Sequence, residues 1–223
     1  MLRDTLLFDL DGTIADTDGL HYEAFRRLLA DHGRAIDHDT YKLRIMGQPN
    51  PAIAAWLFPG ADEAAHRAFA DAKEALFRSL ARAMTPLPGL VTVLDWADRI
   101  GARRAVVTNA PRLNAEFVLD ALGLRSRFDT LVIGEELPRS KPDPLPYATA
   151  LERLGRAAGR AVAFEDSRSG IAAARAAGLF TYGVATGLDA ATLRDAGAHA
   201  AIADFTDPAL RQGLATQFGS APP

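Results

Sequence analysis

From Gly89 onward the chain alternates short apolar runs with stretches of helical periodicity, and this alternation limits the possible folds more than any other feature. Ala105–Thr108, Phe128–Ile133, Ala161–Phe164, Thr181–Ala185 and Ala200–Ile202 are short and mostly apolar, and read as strands. Between them Leu90–Ile100, Leu113–Leu122, Pro144–Leu154, Ile171–Ala177 and Leu188–Ala196 read as helices. Gly101, Gly123 and Gly178 supply stops, and Ser167 or Ser169 supplies a cap for the Ile171 helix. In Leu113–Leu122 the apolar face is Phe117, Val118, Ala121 and Leu122. Strand and helix in alternation imply a doubly wound parallel sheet with helices on both faces. One further run, Leu6–Phe8, comes far earlier and joins the same sheet.

No strand signal interrupts the chain between Asp16 and Met84. Asp16–Ala30 opens with the helix-capping residues Asp16 and Thr17, carries Leu20, Ala24, Phe25, Leu28 and Leu29 at helical spacing, and stops near Gly33. Thr40–Met46 and Pro51–Phe58 are shorter helical stretches. Asp62–Met84 is long and Ala-rich, with Ala65, Phe69, Ala72, Leu76, Phe77 and Leu80 on one face. The expected architecture is therefore α/β: a Rossmann-like core from residues 1–15 and 86–223, with an all-helical domain, residues 16–85, inserted after the first strand. Linkers are expected near Ala15–Thr17 and Thr85–Pro88. After Gln212 the chain reads as a frayed tail rich in Gly, Ser and Pro.

Composition excludes several classes. A net charge of −3 with scattered arginines gives no footprint for nucleic acid or an anionic membrane. With no cysteine there are no disulfides, thiolate nucleophiles or Cys-ligated metals. No apolar run approaches the roughly 20 residues that span a bilayer, and the first residues lack a signal-peptide layout. A cytoplasmic location is expected, and no protein partner is indicated.

Ligands of doubly wound sheets bind beyond the carboxyl ends of the strands, and polar residues collect there. The first strand runs into Asp9-Leu10-Asp11-Gly12; alone, that stretch fits a solvated turn as well as a cation site. The next strand ends in Thr108-Asn109, a later one in Glu165-Asp166, and Lys141 sits in a Ser-Lys-Pro-Asp-Pro loop. Four segments thus deliver complementary groups to one rim. They suit phosphoryl transfer, whose uncatalysed slowness demands up to about 10²¹-fold acceleration and so charge neutralisation, alignment and a nucleophile together. An Asp carboxylate can attack phosphorus. A second carboxyl two residues on can protonate the leaving alcohol and then activate water. Mg²⁺ prefers oxygen ligands, few carboxylates and phosphate. Thr108 and Asn109 can hydrogen-bond phosphate oxygens, and Lys141 can neutralise both phosphate and nucleophile.

In these four stretches, Asp9-Leu10-Asp11-Gly12-Thr13, Val106-Val107-Thr108-Asn109, Ser140-Lys141-Pro142 and Glu165-Asp166-Ser167-Arg168-Ser169-Gly170, the chain resembles the haloacid dehalogenase-like phosphatase superfamily over nearly its whole length. The resemblance implies Asp9 as nucleophile, Asp11 as general acid/base, and Mg²⁺ held by Asp9, the main-chain carbonyl of Asp11 and Asp166. Glu165 is implied as a further ligand or the partner of one. The helical block matches the cap of the subgroup whose cap follows the first motif. Asp11 sets the chain apart from the family's dehalogenases and phosphonatases, which lack it; transport ATPases need membrane helices. A phosphatase acting on a small phosphorylated metabolite, of the sugar phosphate or phosphoglycolate type, is the expected activity. The alternative is a phosphosugar isomerase like β-phosphoglucomutase. His21 and Lys73 resemble cap residues of those mutases, but the loop Met46-Gly47-Gln48-Pro49-Asn50-Pro51 lacks their phosphate-binding Arg; Arg44 lies just upstream. Gln48 and Lys73 are expected to face substrate when the cap closes. Trp56 and Trp96 are expected in the core, and the remaining histidines at the surface.

Overall fold

The computed structural model describes residues 3–81 and 83–223. Its sheet has six parallel strands in the order β3-β2-β1-β4-β5-β6. They are β1 (Thr5–Phe8), β2 (Arg103–Thr108), β3 (Thr130–Ile133), β4 (Ala161–Glu165), β5 (Phe180–Val184) and β6 (Ala200–Ile202). The order reverses between β1 and β4, which opens a crevice at their carboxyl ends.

β1 has no solvent-facing side because its side chains alternate between two cores. Leu6 and Phe8 join a core with Val106, Val162 and Phe164, covered by α5 (Leu90–Arg99), α6 (Arg112–Ala121) and α10 (Pro208–Phe218). Leu7 points the other way, among Ala105, Val107 and Ala163, beneath α7 (Leu145–Leu154) and α8 (Arg168–Ala176). Phe8, Phe164 and Tyr182 stack across three adjacent strands at 4.9 and 5.3 Å. α9 (Ala190–Asp195) closes the β5–β6 end.

Between β1 and α5 the chain forms α1 (Asp18–Asp31), α2 (His38–Arg44), α3 (Asn50–Leu57) and α4 (Glu63–Leu80). These helices share a small core of Phe25, Leu29, Tyr41, Ile53, Leu57 and Phe69. Asp37 and Asp62 cap α2 and α4 by accepting from the backbone N–H three residues on. The outgoing strand of chain runs beside the incoming one, where Leu87 N–H donates to the Ile14 carbonyl at 2.8 Å. No helix among the described residues is long and apolar enough to cross a membrane.

The structure departs from expectation in several places, among them the face of α4, which buries Phe69, Lys73, Glu74 and Phe77 and leaves Ala65 and Ala72 of the expected face exposed. The frayed tail is instead α10: the Asp207 side chain caps it, Pro208 opens it, and Leu210, Leu214 and Phe218 recur at four-residue spacing to bury one face. α4 stops at Leu80, short of Met84; residue 82 of that stretch lies outside the described residues. Trp96 is buried but Trp56 is 41 % exposed, because α3 turns Ile53, Ala54 and Leu57 inward. α6 buries Asn114, Ala115, Val118 and Leu119, so its inner face is rotated from the expected one and Ala121 is exposed. That rotation carries a polar residue, Asn114, into the interior.

Candidate active site

β1 ends at Phe8, and Asp9 follows while its N–H still donates to the Phe164 carbonyl of β4. Asp9 is therefore fixed at the crevice. Lys141 reaches it from the loop after β3. Its ammonium is almost fully buried and donates to Asp9 Oδ1 (2.6 Å), Glu165 Oε1 (2.5 Å) and the Val107 carbonyl (2.6 Å). A lysine has three donors, so all are used and the head group has one orientation. What Lys141 offers a phosphate is charge rather than a spare hydrogen bond. Burial pulls its pKa down, but the Asp9 and Glu165 carboxylates outweigh burial and raise it.

Glu165 ends β4 and is wholly buried. Tyr147 of α7 donates to the same Oε1 at 2.5 Å, and burial followed by the Glu165 charge keeps that phenol protonated well above its ordinary range. Asp166 follows, and Ser167 caps α8 by accepting from Gly170 N–H at 3.1 Å. One carboxylate oxygen from each of Asp9, Glu165 and Asp166 lies within 4.8 Å of the others. Burial pushes the Asp166 carboxyl well above the ordinary range, and the charges of Asp18, Asp9 and Glu165 add to this. Asp9 is also pushed up, by burial first, with Lys141 opposing and Glu165 assisting. Three buried carboxylates facing one ammonium leave an excess of negative charge. A divalent cation relieves that excess and accepts oxygen donors, so the residues present fit one. The left-handed turn at Gly12 (φ 74°) is closed by Thr186 donating to the Gly12 carbonyl, and a Cβ there would fall inside the Asp166 carboxylate.

Asp11 is two residues from Asp9 but lives in a different environment. Its Oδ1 accepts from Thr17 Oγ1 (2.7 Å) and pairs with His21 Nε2 (3.3 Å). Burial raises its pKa, but the charge and hydrogen bond of His21, the Thr17 hydroxyl and the charge of Lys73 together bring it below the ordinary range. Thr17 is the N-cap residue of α1, yet its side chain makes no capping bond; the hydroxyl is spent on Asp11. Lys73 Nζ contacts His21 Nδ1 at 3.2 Å. Lysine can only donate, so whenever the ring is neutral Nδ1 is the acceptor and Nε2 carries the proton toward Asp11. The His21 ring lies flat on Phe77 at 3.9 Å.

The cleft joining these two halves lies between the sheet and the helical segment. It encloses about 80 Å³, enough for several waters or a small polar head group. Asp9, Asp11, His21, Gln48, Lys73 and Thr108 all border it, as do Asn109, Lys141 and Asp166. Thr108 Oγ1 accepts from Ala110 N–H at 2.9 Å. Asn109 differs from expectation, because its side chain is already spent. Its Nδ2 donates to the carbonyls of Gly47 and Lys141, and its Oδ1 accepts from Lys141 N–H. It clasps two loops together rather than presenting a free amide. Ser169 makes a second clasp, donating to the Gly47 carbonyl at 2.6 Å.

Sequence reasoning missed Tyr147, Ser169, Glu74 and Asn114. Tyr147 lies on the core face of α7, and only its fold neighbour Glu165 gives its hydroxyl a purpose. Glu74 adjoins Lys73 in sequence, which is a faint signal; Asn114 required the correct phase of α6.

The motif spacing, the strand order and the carboxylate–ammonium cluster define a class. The family profile described as haloacid dehalogenase-like hydrolase matches residues 6–184, and the chain belongs to that family. The "Phosphorylated carbohydrates phosphatase" of Thermotoga maritima is 32% identical over 206 residues, 89% of this chain and 94% of its own length. A "Phosphoglycolate phosphatase" of Xylella fastidiosa is 36% identical over 179 residues, covering 78% of this chain and 77% of its own. Among solved structures, CbbY from Rhodobacter sphaeroides in complex with phosphate superposes with a TM-score of 0.81 at 28% identity, over 92% of this chain and 95% of its own.

Proposed function

We propose that the protein is a Mg²⁺-dependent phosphatase that hydrolyses a small phosphorylated metabolite, of the sugar phosphate or phosphoglycolate type, through an aspartyl-phosphate on Asp9. The observation that carries this reading is the unlike treatment of two carboxylates two residues apart. Asp9 is held by Lys141 in the acidic cluster, whereas Asp11 is turned away to Thr17 and His21. One is disposed as a nucleophile beside a cation site, the other as a proton carrier. Asp9, Asp166, the Asp11 carbonyl and, directly or through its hold on Lys141, Glu165 would hold the ion, which when bound supplies positive charge to the phosphate oxygens and nucleophile.

In the first step an Asp9 oxygen forms a bond to phosphorus while the ester P–O bond breaks. Asp11 gives its proton to the departing oxygen. The resting site holds Asp11 ionised; the negative charge of the arriving phosphate raises its proton affinity, so Asp11 takes up a proton from solvent as substrate binds and becomes the acid. In the second step water attacks phosphorus, its proton goes to Asp11, the Asp9–phosphorus bond breaks and phosphate leaves. Lys141 keeps Asp9 oriented throughout, and Thr108 is disposed to donate its hydroxyl hydrogen to a phosphate oxygen. The helical segment acts as a cap, with Gln48 and Lys73 at the organic end of the substrate. A cytoplasmic location accords with this substrate class.

Hydrolysis is favoured over phosphosugar isomerisation because a mutase must hold a second phosphate. Arg44, just upstream of the loop at Gly47, is exposed and does not border the cleft. His21 and Lys73 do, but are engaged with Asp11 and Glu74. The two curated relatives described above are named as phosphatases.

A panel of phosphorylated metabolites assayed for inorganic phosphate tests the reading. Stoichiometric phosphate release is expected, abolished by chelation of Mg²⁺ and by Asp9→Asn. Retention of substantial Mg²⁺-dependent turnover by Asp9→Asn would overturn the covalent mechanism, and isomerisation without phosphate release would overturn hydrolysis.

A further inference from the structure

A chain of polar contacts, buried from His21 onward, leaves the sheet at Asp11, crosses the helical segment and returns to the sheet layer at Asn114. From Asp11 it passes to His21 on α1 (3.3 Å), to Lys73 on α4 (3.2 Å) and to Glu74 (2.6 Å). Glu74 Oε2 accepts from Asn114 Nδ2 on α6 at 2.5 Å. Every member between the two ends belongs to the helical segment, so the chain is fastened to the sheet layer at both ends. Asn114 is 1 % exposed and Glu74 5 %. Their surroundings are fully used: Asn50 Nδ2 donates to Glu74 Oε1 at 2.8 Å, and the Arg78 guanidinium donates to Asn114 Oδ1. The Arg78 contact fixes which end of the Asn114 amide faces Glu74, because only the NH₂ group remains to meet the carboxylate.

Resting on the reading above, we infer that Asn114 is a positioning residue: by anchoring Glu74 it holds Lys73, and through it His21, where Asp11 can hand its proton to the leaving group only while the helical segment is seated on the sheet. Lys73 is a flexible point charge on a long stem and would not keep its place against His21 unaided. Glu74 gives it a fixed counter-charge, and Asn114 gives Glu74 a fixed address on the other layer. Separating the layers breaks the chain at one end, so a cleft open to water would lack an aligned acid. This links closure to proton delivery without requiring Asn114 to touch substrate.

The experiment compares rates of phosphoenzyme formation from two donors in single-turnover, Mg²⁺-containing reactions. Acetyl phosphate releases acetate, which departs as an anion and takes no proton; glycerol phosphate releases an alcohol, which must be protonated. Asn114→Asp keeps shape and volume but replaces the donor facing Glu74 with a carboxylate. It is expected to slow transfer from glycerol phosphate at least about tenfold more than transfer from acetyl phosphate, a fraction of what a positioned acid contributes. Glu74→Gln makes the same comparison from the other side of the bond, should Asn114→Asp fail to fold. Equal slowing of both donors, or wild-type behaviour with both, would overturn the inference and leave the phosphatase reading standing. Absence of any Asp9 phosphoenzyme in the unmodified protein from either donor would overturn both.

Discussion

At the scale of single residues, Glu165 does more than its place beside Asp166 suggests. It receives Lys141 and Tyr147 on one oxygen and leaves no room behind it: a Cβ at Gly170 would fall inside its carboxylate. Elsewhere a carboxylate could swing aside, but this one is wholly buried and pinned by two donors. Gly170→Ala is expected to destabilise the protein by about 1–3 kcal/mol, the range for overpacked interiors. It should also lower kcat by displacing Glu165 and releasing Lys141 from Asp9. Urea unfolding read alongside phosphate release checks both effects. The glycine could be read from sequence as part of a helix start, but not that its missing side chain makes space for a buried acid.

Among the elements, α10 contributes to the core without touching the chemistry. Leu210, Leu214 and Phe218 seal the face of the sheet beneath Phe8 and Phe164, and Phe218 meets Trp96 edge-on at 5.2 Å. Leu214→Ala should cost about 2–5 kcal/mol, as buried Leu→Ala changes do, while KM and kcat of the surviving folded fraction stay near their original values. Denaturant titration and steady-state kinetics separate the two. This helix is also faint in the sequence. Its apolar residues are four apart, so the face is thin, and Gly213 and the terminal Gly and Pro pull the average toward loop. The six strands and most helices were legible because their apolar runs are dense and their glycine stops unambiguous. On α6, Phe117 and Leu122 outbid Asn114 for the inner face on hydrophobicity alone. Only the layer packed above, with Glu74 waiting, makes an asparagine the better buried residue. Of the candidate site, Asp9, Asp11, Lys141, Glu165 and Asp166 stand at strand ends or in a stiff loop and could be assembled from order and spacing. The partners that orient them come from helices whose relative placement no local pattern encodes.

For the molecule as a whole, the seam between the sheet and the helical segment is polar where it meets the cleft, and it responds to acid. Burial works against the charge on Glu74, but Lys73, His21 and Asn50 outweigh burial and lower its pKa. A carboxyl with a depressed folded-state pKa stabilises above its unfolded value, about 4.3 for glutamate, and this contribution is lost as pH falls through and below that value toward the folded one. Unfolding free energy measured from neutral pH down through that window should therefore fall less steeply in Glu74→Gln than in the unmodified protein, although Gln is the less stable at neutral pH. An identical slope in the two proteins would remove Glu74 from the account of acid sensitivity.

The strand order has a consequence for how such a molecule comes into being. β1 is made first within this chain, yet its neighbours are β2 and β4, which follow about 100 and 160 residues later by their own positions. Asp9 and Asp11 therefore leave the ribosome on an apolar strand before either of its sheet neighbours is made, while the helices encoded next have residues of their own to pack together. At about 5–20 residues per second the interval before β4 emerges lasts on the order of ten seconds or more. During that time the centre of the future sheet is the segment most in need of shelter, and early folding of α1–α4 would keep the two ends of the helical segment close while β1 waits for both of its partners.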